Sequence, residues 1–199
     1  MWEQRFAGEG YFYGTEPNRF LTQQAHRIRP GGRVLCVADG EGRNGVWLAS
    51  QGFDVVAVDN AQAGLDKTRR LAGERGVCLK TLKADLLDWD WPVGGYDAVV
   101  AIFIQFAGPK DRPALFEHIK QAVKPGGVVL MQGYRPEQVA LGTGGPPDPE
   151  HLYTEPMLRD AFGDFDLEVL RPHDSDIREG VGHAGRSALI DLVARRPGP

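Results

Sequence analysis

The residues of this chain best placed to do chemistry together are a cluster of carboxylates set among glycines. Asp39-Gly40-Glu41-Gly42-Arg43-Asn44-Gly45 directly follows the apolar run Val34-Leu35-Cys36-Val37-Ala38, and Gly40, Gly42 and Gly45 satisfy the spacing G-x-G-x-x-G. Between a strand and a helix, such glycines permit a tight turn and close approach of the backbone to a ligand. Asp59 closes a second apolar run twenty residues beyond Asp39, where a carboxylate can receive two ribose hydroxyls. Loop, context and acid together point to an adenosine-containing ligand.

Charge separates the two adenosine cofactors that suit such a loop. A nicotinamide dinucleotide would bring a pyrophosphate over Asp39 and Glu41, which bracket the first glycine. Like charges about 6 Å apart at an effective dielectric of about 20 repel by roughly 3 kcal/mol before solvent screening. S-adenosylmethionine carries an ammonium and a sulfonium and no phosphate, so the same acids attract it. Arg43 offsets part of the repulsion, and a solvated turn residue is the plainer reading of Glu41. The alternatives are therefore a nicotinamide-dependent oxidoreductase and, if no acceptor chemistry exists, a non-catalytic module that binds S-adenosylmethionine.

The elements that must hold these residues follow from periodicity. Short apolar runs at 33–38, 53–58, 77–82, 96–104 and 128–131 read as buried strands bounded by glycine or turn residues. Between them lie helical stretches: a short one around Val46-Trp47-Leu48-Ala49, one capped by Asn60 with Leu65, Thr68, Leu71 and Ala72 on a face, and one carrying Leu115, Phe116, Ile119, Ala122 and Val123. This alternation predicts an α/β, doubly wound Rossmann-like sheet, mostly parallel, with helices on both faces. After residue 133 the pattern changes. A loop of turn-formers at 142–149 leads to a helix begun by Thr154, and late strands at 165–170 and 187–194 predict a C-terminal antiparallel hairpin.

The 199 residues suffice for one domain with a full core. The reading divides them into an N-terminal lid or helix segment (1–29), a ligand-binding core (30–133), and an acceptor-side loop, helix and terminal hairpin (134–199). With 23 Lys plus Arg against 27 Asp plus Glu, the chain has a formal charge of −4 and no basic run longer than a pair, so no nucleic-acid partner is expected. No apolar stretch reaches membrane-spanning length, and the first residues lack the layout of a secretory signal. Two cysteines make no disulfide framework. A cytoplasmic location, no membrane partner and no metal site are the expectations; oligomeric state is left open.

Val37-Ala38-Asp39-Gly40-Glu41-Gly42 resembles the glycine motif of the class I S-adenosylmethionine-dependent methyltransferases. Asp59 resembles their ribose acid, and Ala84-Asp85-Leu86 the segment whose Asp meets the adenine amino group. Tyr96-Asp97-Ala98-Val99-Val100 resembles their fourth strand, and Lys124-Pro125-Gly126-Gly127 the turn before the fifth. The flanking Trp2-x-x-Arg5-Phe6, Tyr11-x-Tyr13-Gly14, Pro17-Asn18 and Gly144-Gly145-Pro146 are similar to the small tellurite-resistance-like and thiopurine-methyltransferase-like branch. The resemblance implies an S-adenosylmethionine site of Asp39, Gly40, Glu41, Gly42, Asn44, Asp59, Asn60, Asp85, Leu86 and Phe103, with Asp39 at the donor's amino-acid end. It implies methyl transfer to a small-molecule acceptor, a thiol or a chalcogen oxyanion.

Methyl transfer from a sulfonium needs alignment and exclusion of water more than acid or metal. Ligands of open α/β sheets lie beyond the carboxyl ends of strands, which makes Tyr13, Gln105, Tyr134 and Arg135 the candidates nearest the chemistry. Gln105 stands where many relatives carry His, and an amide is no general base. Tyr11 and Tyr13 share one face of an extended segment and can form a lid. Arg5 can clamp an anionic acceptor. His151 and His183 lie in glycine-rich loops, where solvation is the plainer reading. Cys36 and Cys78 are read as strand residues, not nucleophiles.

Overall fold

The computed structural model describes residues 2–198. Its centre is β1 (Arg33–Val37), a strand apolar on both faces because it is covered on both. Strands β2 (Asp54–Asp59), β3 (Lys80–Lys83), β4 (Tyr96–Ile102) and β5 (Val123–Tyr134) run parallel to it, while β7 (His183–Arg195) runs antiparallel to β5 and forms an antiparallel hairpin with β6 (Asp166–Glu179). The sheet order is β3-β2-β1-β4-β5-β7-β6. Strand order reverses between β1 and β4, which opens a crevice at their carboxyl ends.

Helices cover both faces: α1 (Trp2–Phe6), α2 (Arg19–Gln24), α3 (Arg43–Ser50), α4 (Gln62–Glu74), α5 (Arg112–Ala122), α6 (Gln138–Leu141) and α7 (Glu155–Ala161). The period-2 alternation of β1 divides the core. Leu35 and Val37 pack with Leu115, Phe116 and Ile119 of α5 and with Leu158 of α7. Val34 and Cys36 face the other way, toward Phe20 and Leu21 of α2 and Leu48 of α3. None of the described helices is long and apolar enough to cross a membrane.

The α/β doubly wound sheet with a C-terminal antiparallel hairpin is as the sequence predicts, but several local expectations are corrected. β3 starts at Lys80, not Val77, because the chain leaves α4 through Gly76 at φ 66° and pairs with β2 only from Val56 onward. β4 stops at Ile102, since Phe103 turns out of the strand at φ 55°. The hairpin strands are far longer than 165–170 and 187–194. β6 carries Pro172 and alternating charge to Glu179, and it is an edge strand, where proline and charge are tolerated. Its distal half pairs with β7 alone and rises past the end of β5.

Asn60 does not cap α4. Ala61 precedes that helix, Asp59 Oδ1 accepts from Ala61 N–H, and the Glu3 carboxylate accepts from the N–H groups of Gln62 (2.7 Å) and Ala63 (3.0 Å). A carboxylate from another element thus meets the positive end of the helix. Tyr11 and Tyr13 do not share a face, because a turn closed by Gly14 N–H to Tyr11 O separates them. Tyr11 lies on α4, its hydroxyl donating to Lys67 O, and Tyr13 faces the crevice. Cys36 is buried, whereas Cys78 is exposed and precedes β3.

Candidate active site

A cavity of about 740 Å³ opens at the carboxyl ends of β1, β2 and β4, a volume typical of small-molecule sites. Its floor is the glycine loop. Ala38 and Phe103, the two non-glycine residues with positive φ among those described, stand at φ 49° and 55° just past adjacent strands β1 and β4. Left-handed backbone at a bulky residue is strained, and strain held in place by surrounding structure concentrates at functional sites.

Each glycine of the loop has its own physical role. Gly42 takes φ 88°, and a Cβ there would lie 2.7 Å from Thr68 Cβ on α4. Gly45 leaves room for the Asp39 carboxylate, which a Cβ would meet at 2.5 Å. That carboxylate instead accepts from Gly45 N–H at 3.2 Å. Gly40 N–H donates to Asp59 Oδ2 at 2.8 Å, so the loop is tied to β2 by the second acid.

Four acids line the cavity, three of them in the order of their strands (Asp39 after β1, Asp59 ending β2 and Asp85 after β3) and the fourth, Asp148, from the loop before α7. Burial raises the Asp39 carboxyl to about 7, helped by neighbouring Asp59 and opposed by Gly45 N–H. Asp59 is also raised by burial, against the backbone N–H groups of Ala61 and Gly40 that favour its charged form. Asp85 is exposed, with Asn60 Nδ2 within 3.4 Å of it and Leu87 N–H donating to Oδ1. Gly40, Asn44, Asn60, Leu86 and Phe103 also line the space.

Three expected members of the site face elsewhere. Glu41 is 3% exposed and neither solvated nor in the cavity wall. Its carboxylate pairs with Lys67 Nζ at 2.7 Å and accepts from Tyr13 N–H at 3.2 Å. Gly42 likewise lies behind the wall, against Thr68. Arg135 is turned outward to Asp174 and Glu137 and is not a lining residue.

Gln105 borders the cavity but spends its amide on the fold. Its Oε1 accepts from Tyr134 N–H (2.7 Å) while its Nε2 donates to Tyr134 O (2.8 Å), a two-point bond that staples the loop after β4 to the end of β5. Gly133 makes space for it, since a Cβ there would lie 3.1 Å from Gln105 Cδ.

The remaining wall is aromatic. Phe103 stacks on Tyr134 (4.7 Å between centroids) and on His183 (4.4 Å), and Tyr13 stacks on His183 (4.4 Å). His183, far from being a solvated loop residue, is buried at the start of β7, and its Nδ1 is hydrogen-bonded to Tyr134 Oη at 2.5 Å. Burial first, then the charges of Arg43 and Arg5, hold its imidazole down to about 3. Burial pushes the Tyr134 phenol above its ordinary range. Neither is a ready general base at neutral pH. His151 also lines the cavity, with Nδ1 near Gln105 O at 3.1 Å.

The roof is made where two distant segments meet. Val181 N–H donates to Phe12 O at 3.0 Å, and Gly180 and Gly182 lie so close to Phe12 and Tyr13 that no Cβ would fit. Sequence reasoning missed the groups that fasten this roof: Glu3, Lys67, Glu179 and, as a hydrogen-bonding hub, Asn18. Lys67 on an otherwise apolar helical face was the single available signal. Glu179 lies in a charged stretch that carries none.

Residues 34–127 match the family described as Methyltransferase domain. Among curated proteins, the uncharacterized methyltransferase YbaJ of Bacillus subtilis is 38% identical over 58 residues, covering 29% of this chain and 23% of that protein. The chain spans less than half the length of the first curated relatives it matches. Among solved structures, the protein studied in the conversion of a disulfide bond into a thioacetal group during echinomycin biosynthesis superposes with a TM-score of 0.77 at 20% identity, over 96% of this chain and 86% of its own. TehB from Haemophilus influenzae follows at 0.71 and 18%, over 88% and 61%. At such identities the likeness is one of fold. Residues 34–127, just under half of the chain, are thus similar to a methyltransferase domain, and the strand order and the glycine loop agree with that likeness.

Proposed function

We propose that the protein transfers a methyl group from S-adenosylmethionine to a small-molecule acceptor. The observation that carries this reading is the ordered set of acids, Asp39, Asp59 and Asp85, around a cavity that is closed on another side by an aromatic wall. With Glu41 neutralised by Lys67, the acids beside the glycine loop that face the ligand are Asp39 and Asp59, with Asp85 and Asp148 further along the lining. A cationic nucleoside gains from them, and a dinucleotide would set its pyrophosphate against Asp39 and Asp59.

The residues suit that donor in kind and in place. Asp39 is assigned the donor's ammonium, Asp59 the ribose hydroxyls, and Asp85 with Leu86 the adenine, while Gly40, Asn44 and Asn60 border the nucleoside and Phe103 the methionine chain. When bound, S-adenosylmethionine supplies an electrophilic methyl whose bond to sulfur breaks as the acceptor's lone pair bonds to the carbon. The protein's own part is to align and to dry the site. Phe103, Tyr134, His183 and Tyr13 form the wall that excludes water, and the roof of residues 12–13 and 180–182 covers it. Because no group in that wall is set up to take a proton at neutral pH, acceptors already carrying a free lone pair at low basicity are favoured, such as thiolates and chalcogen oxyanions.

Calorimetric titration of S-adenosylmethionine into the wild type and Asp59→Ala tests the donor, with at least tenfold weaker binding expected for the variant. Release of S-adenosylhomocysteine on incubation with thiols, chalcogen oxyanions, amines and phenols tests transfer. No measurable donor binding to the wild type would falsify the reading. Donor binding without release to any acceptor would leave a binding module in place of an enzyme.

A further inference from the structure

Resting on that reading, we propose that Arg43 is the seat of an anionic group on the acceptor: the substrate carries a carboxylate or similar oxyanion that pairs with the guanidinium, and an apolar body that lies against the aromatic wall. Arg43 is the first residue of α3 and lines the cavity, yet its side chain is only 7% exposed. Its Nη2 donates to Glu179 Oε2 at 2.6 Å, whereas its Nη1 is shut off from solvent with no hydrogen-bond partner. An unpaired donor on a buried cation is costly, and a ligand that supplies the missing acceptor repays that cost on binding.

Position assigns this group to the acceptor and not to the donor. The acids given to the donor stand at the ends of β1, β2 and β3, on one side of the strand reversal. The Arg43 head reaches across to the other side, to Glu179 at the tip of the β6–β7 hairpin, and its charge acts on His183 and Tyr134 there as well as on Asp39 behind it. Glu179 is fixed in turn by Asn18 Nδ2, at 3.0 and 3.3 Å from its two oxygens. The fork is therefore held from behind with one edge left over, as a preorganised anion site requires. Arg5, at the rim, adds a second cation that has no carboxylate within 4 Å among the described residues; it lies over the rings of Trp2 and Phe12.

The test uses S-adenosylhomocysteine, then benzoate and its neutral isostere benzamide, titrated calorimetrically into the wild type, Arg43→Gln and the charge-balanced double variant Arg43→Gln/Glu179→Gln. The double variant guards against a fold lost through an unpaired Glu179. S-adenosylhomocysteine affinity is expected to stay within threefold throughout. On the loaded wild type, benzoate is expected to bind at least tenfold more tightly than benzamide, and both variants should bring the two within twofold. Equal binding of benzoate and benzamide to the loaded wild type, or a preference that survives in both variants, overturns the proposal. So does a tenfold loss of S-adenosylhomocysteine affinity in both variants, which would give Arg43 to the donor's own carboxylate. Failure of S-adenosylhomocysteine to bind the wild type removes the donor reading beneath it, a result distinct from any benzoate outcome.

Discussion

At Asp39 two tendencies meet: burial favours the neutral acid, and a cationic ligand favours the carboxylate. Its carboxyl stands at about 7 in the ligand-free protein, well above an unfolded aspartate near 4. Proton uptake on folding follows, so this group's penalty on stability is present in full above pH 7 and disappears as pH falls toward 4. Donor binding has the opposite sign, because the ammonium selects the ionised form. S-adenosylmethionine affinity is therefore expected to fall as pH is lowered from 8 to 6, approaching tenfold per unit below 7. Asp39→Asn should bind more weakly at pH 8, lose this slope, and melt at a higher temperature than the ligand-free wild type; calorimetry and thermal melts over the pH range check each part. The residue types of this site were readable from spacing, since a carboxylate at a strand end faces a ligand whatever the fold does elsewhere. Their partners were not. Nothing local in the sequence pairs Glu41 with Lys67 or Gln105 with the Tyr134 backbone, because those bonds are made by elements brought together only in three dimensions.

Between elements, the glycine loop sets how closely α3 and α4 approach. Gly42→Ala places a methyl group 2.6–2.7 Å from the Thr68 side chain at a backbone angle of φ 88°. Overpacking and left-handed strain together are expected to cost about 3 kcal/mol. Gly73, on the exposed side of the same α4, has open space around its Cβ position and no unusual φ. Gly73→Ala should stabilise by about 0.5 kcal/mol through helix propensity. Denaturant titrations of both variants check the contrast, and equal effects would show that the loop glycine is not a packing device. The parallel strands and major helices were legible because burial on two faces leaves continuous apolar runs. The hairpin was half legible for the complementary reason. Residues 171–179 form an edge strand that is paired on one side only, so its sequence need not be apolar and reads as a loop.

Across the whole molecule, one side chain fastens the site to the sheet. Asn18 is fully buried, its Oδ1 accepts from Leu21 N–H to cap α2, and its backbone N–H donates to Asn44 Oδ1 on α3. Its Nδ2 donates to Gln132 Oε1 on β5 at 2.7 Å and to Glu179 on β6. From Gln132 the chain of bonds continues to Asp191, which Arg171 also pairs. Four elements, α2, α3, β5 and β6, are joined at this residue. Pro17-Asn18 stood out in the sequence only as a flanking motif of the resemblance; the cross-sheet role needs the register of β5 against β7. Asn18→Asp keeps the cap and the shape while replacing the donor with a second carboxylate against Glu179. At neutral pH the variant is expected to lose about 3–5 kcal/mol, the penalty of an uncompensated buried charge. The new aspartate's pKa must be raised by burial and by Glu179, so the loss is full above that raised value and shrinks as pH falls toward 4, where the acid is neutral and can donate again. Urea titrations at pH 8 and pH 5 should show the gap to wild type narrowing at the lower pH. A gap independent of pH would mean that Asn18 holds the site by shape alone, with the roof anchored instead by the Phe12 and Val181 backbone contact.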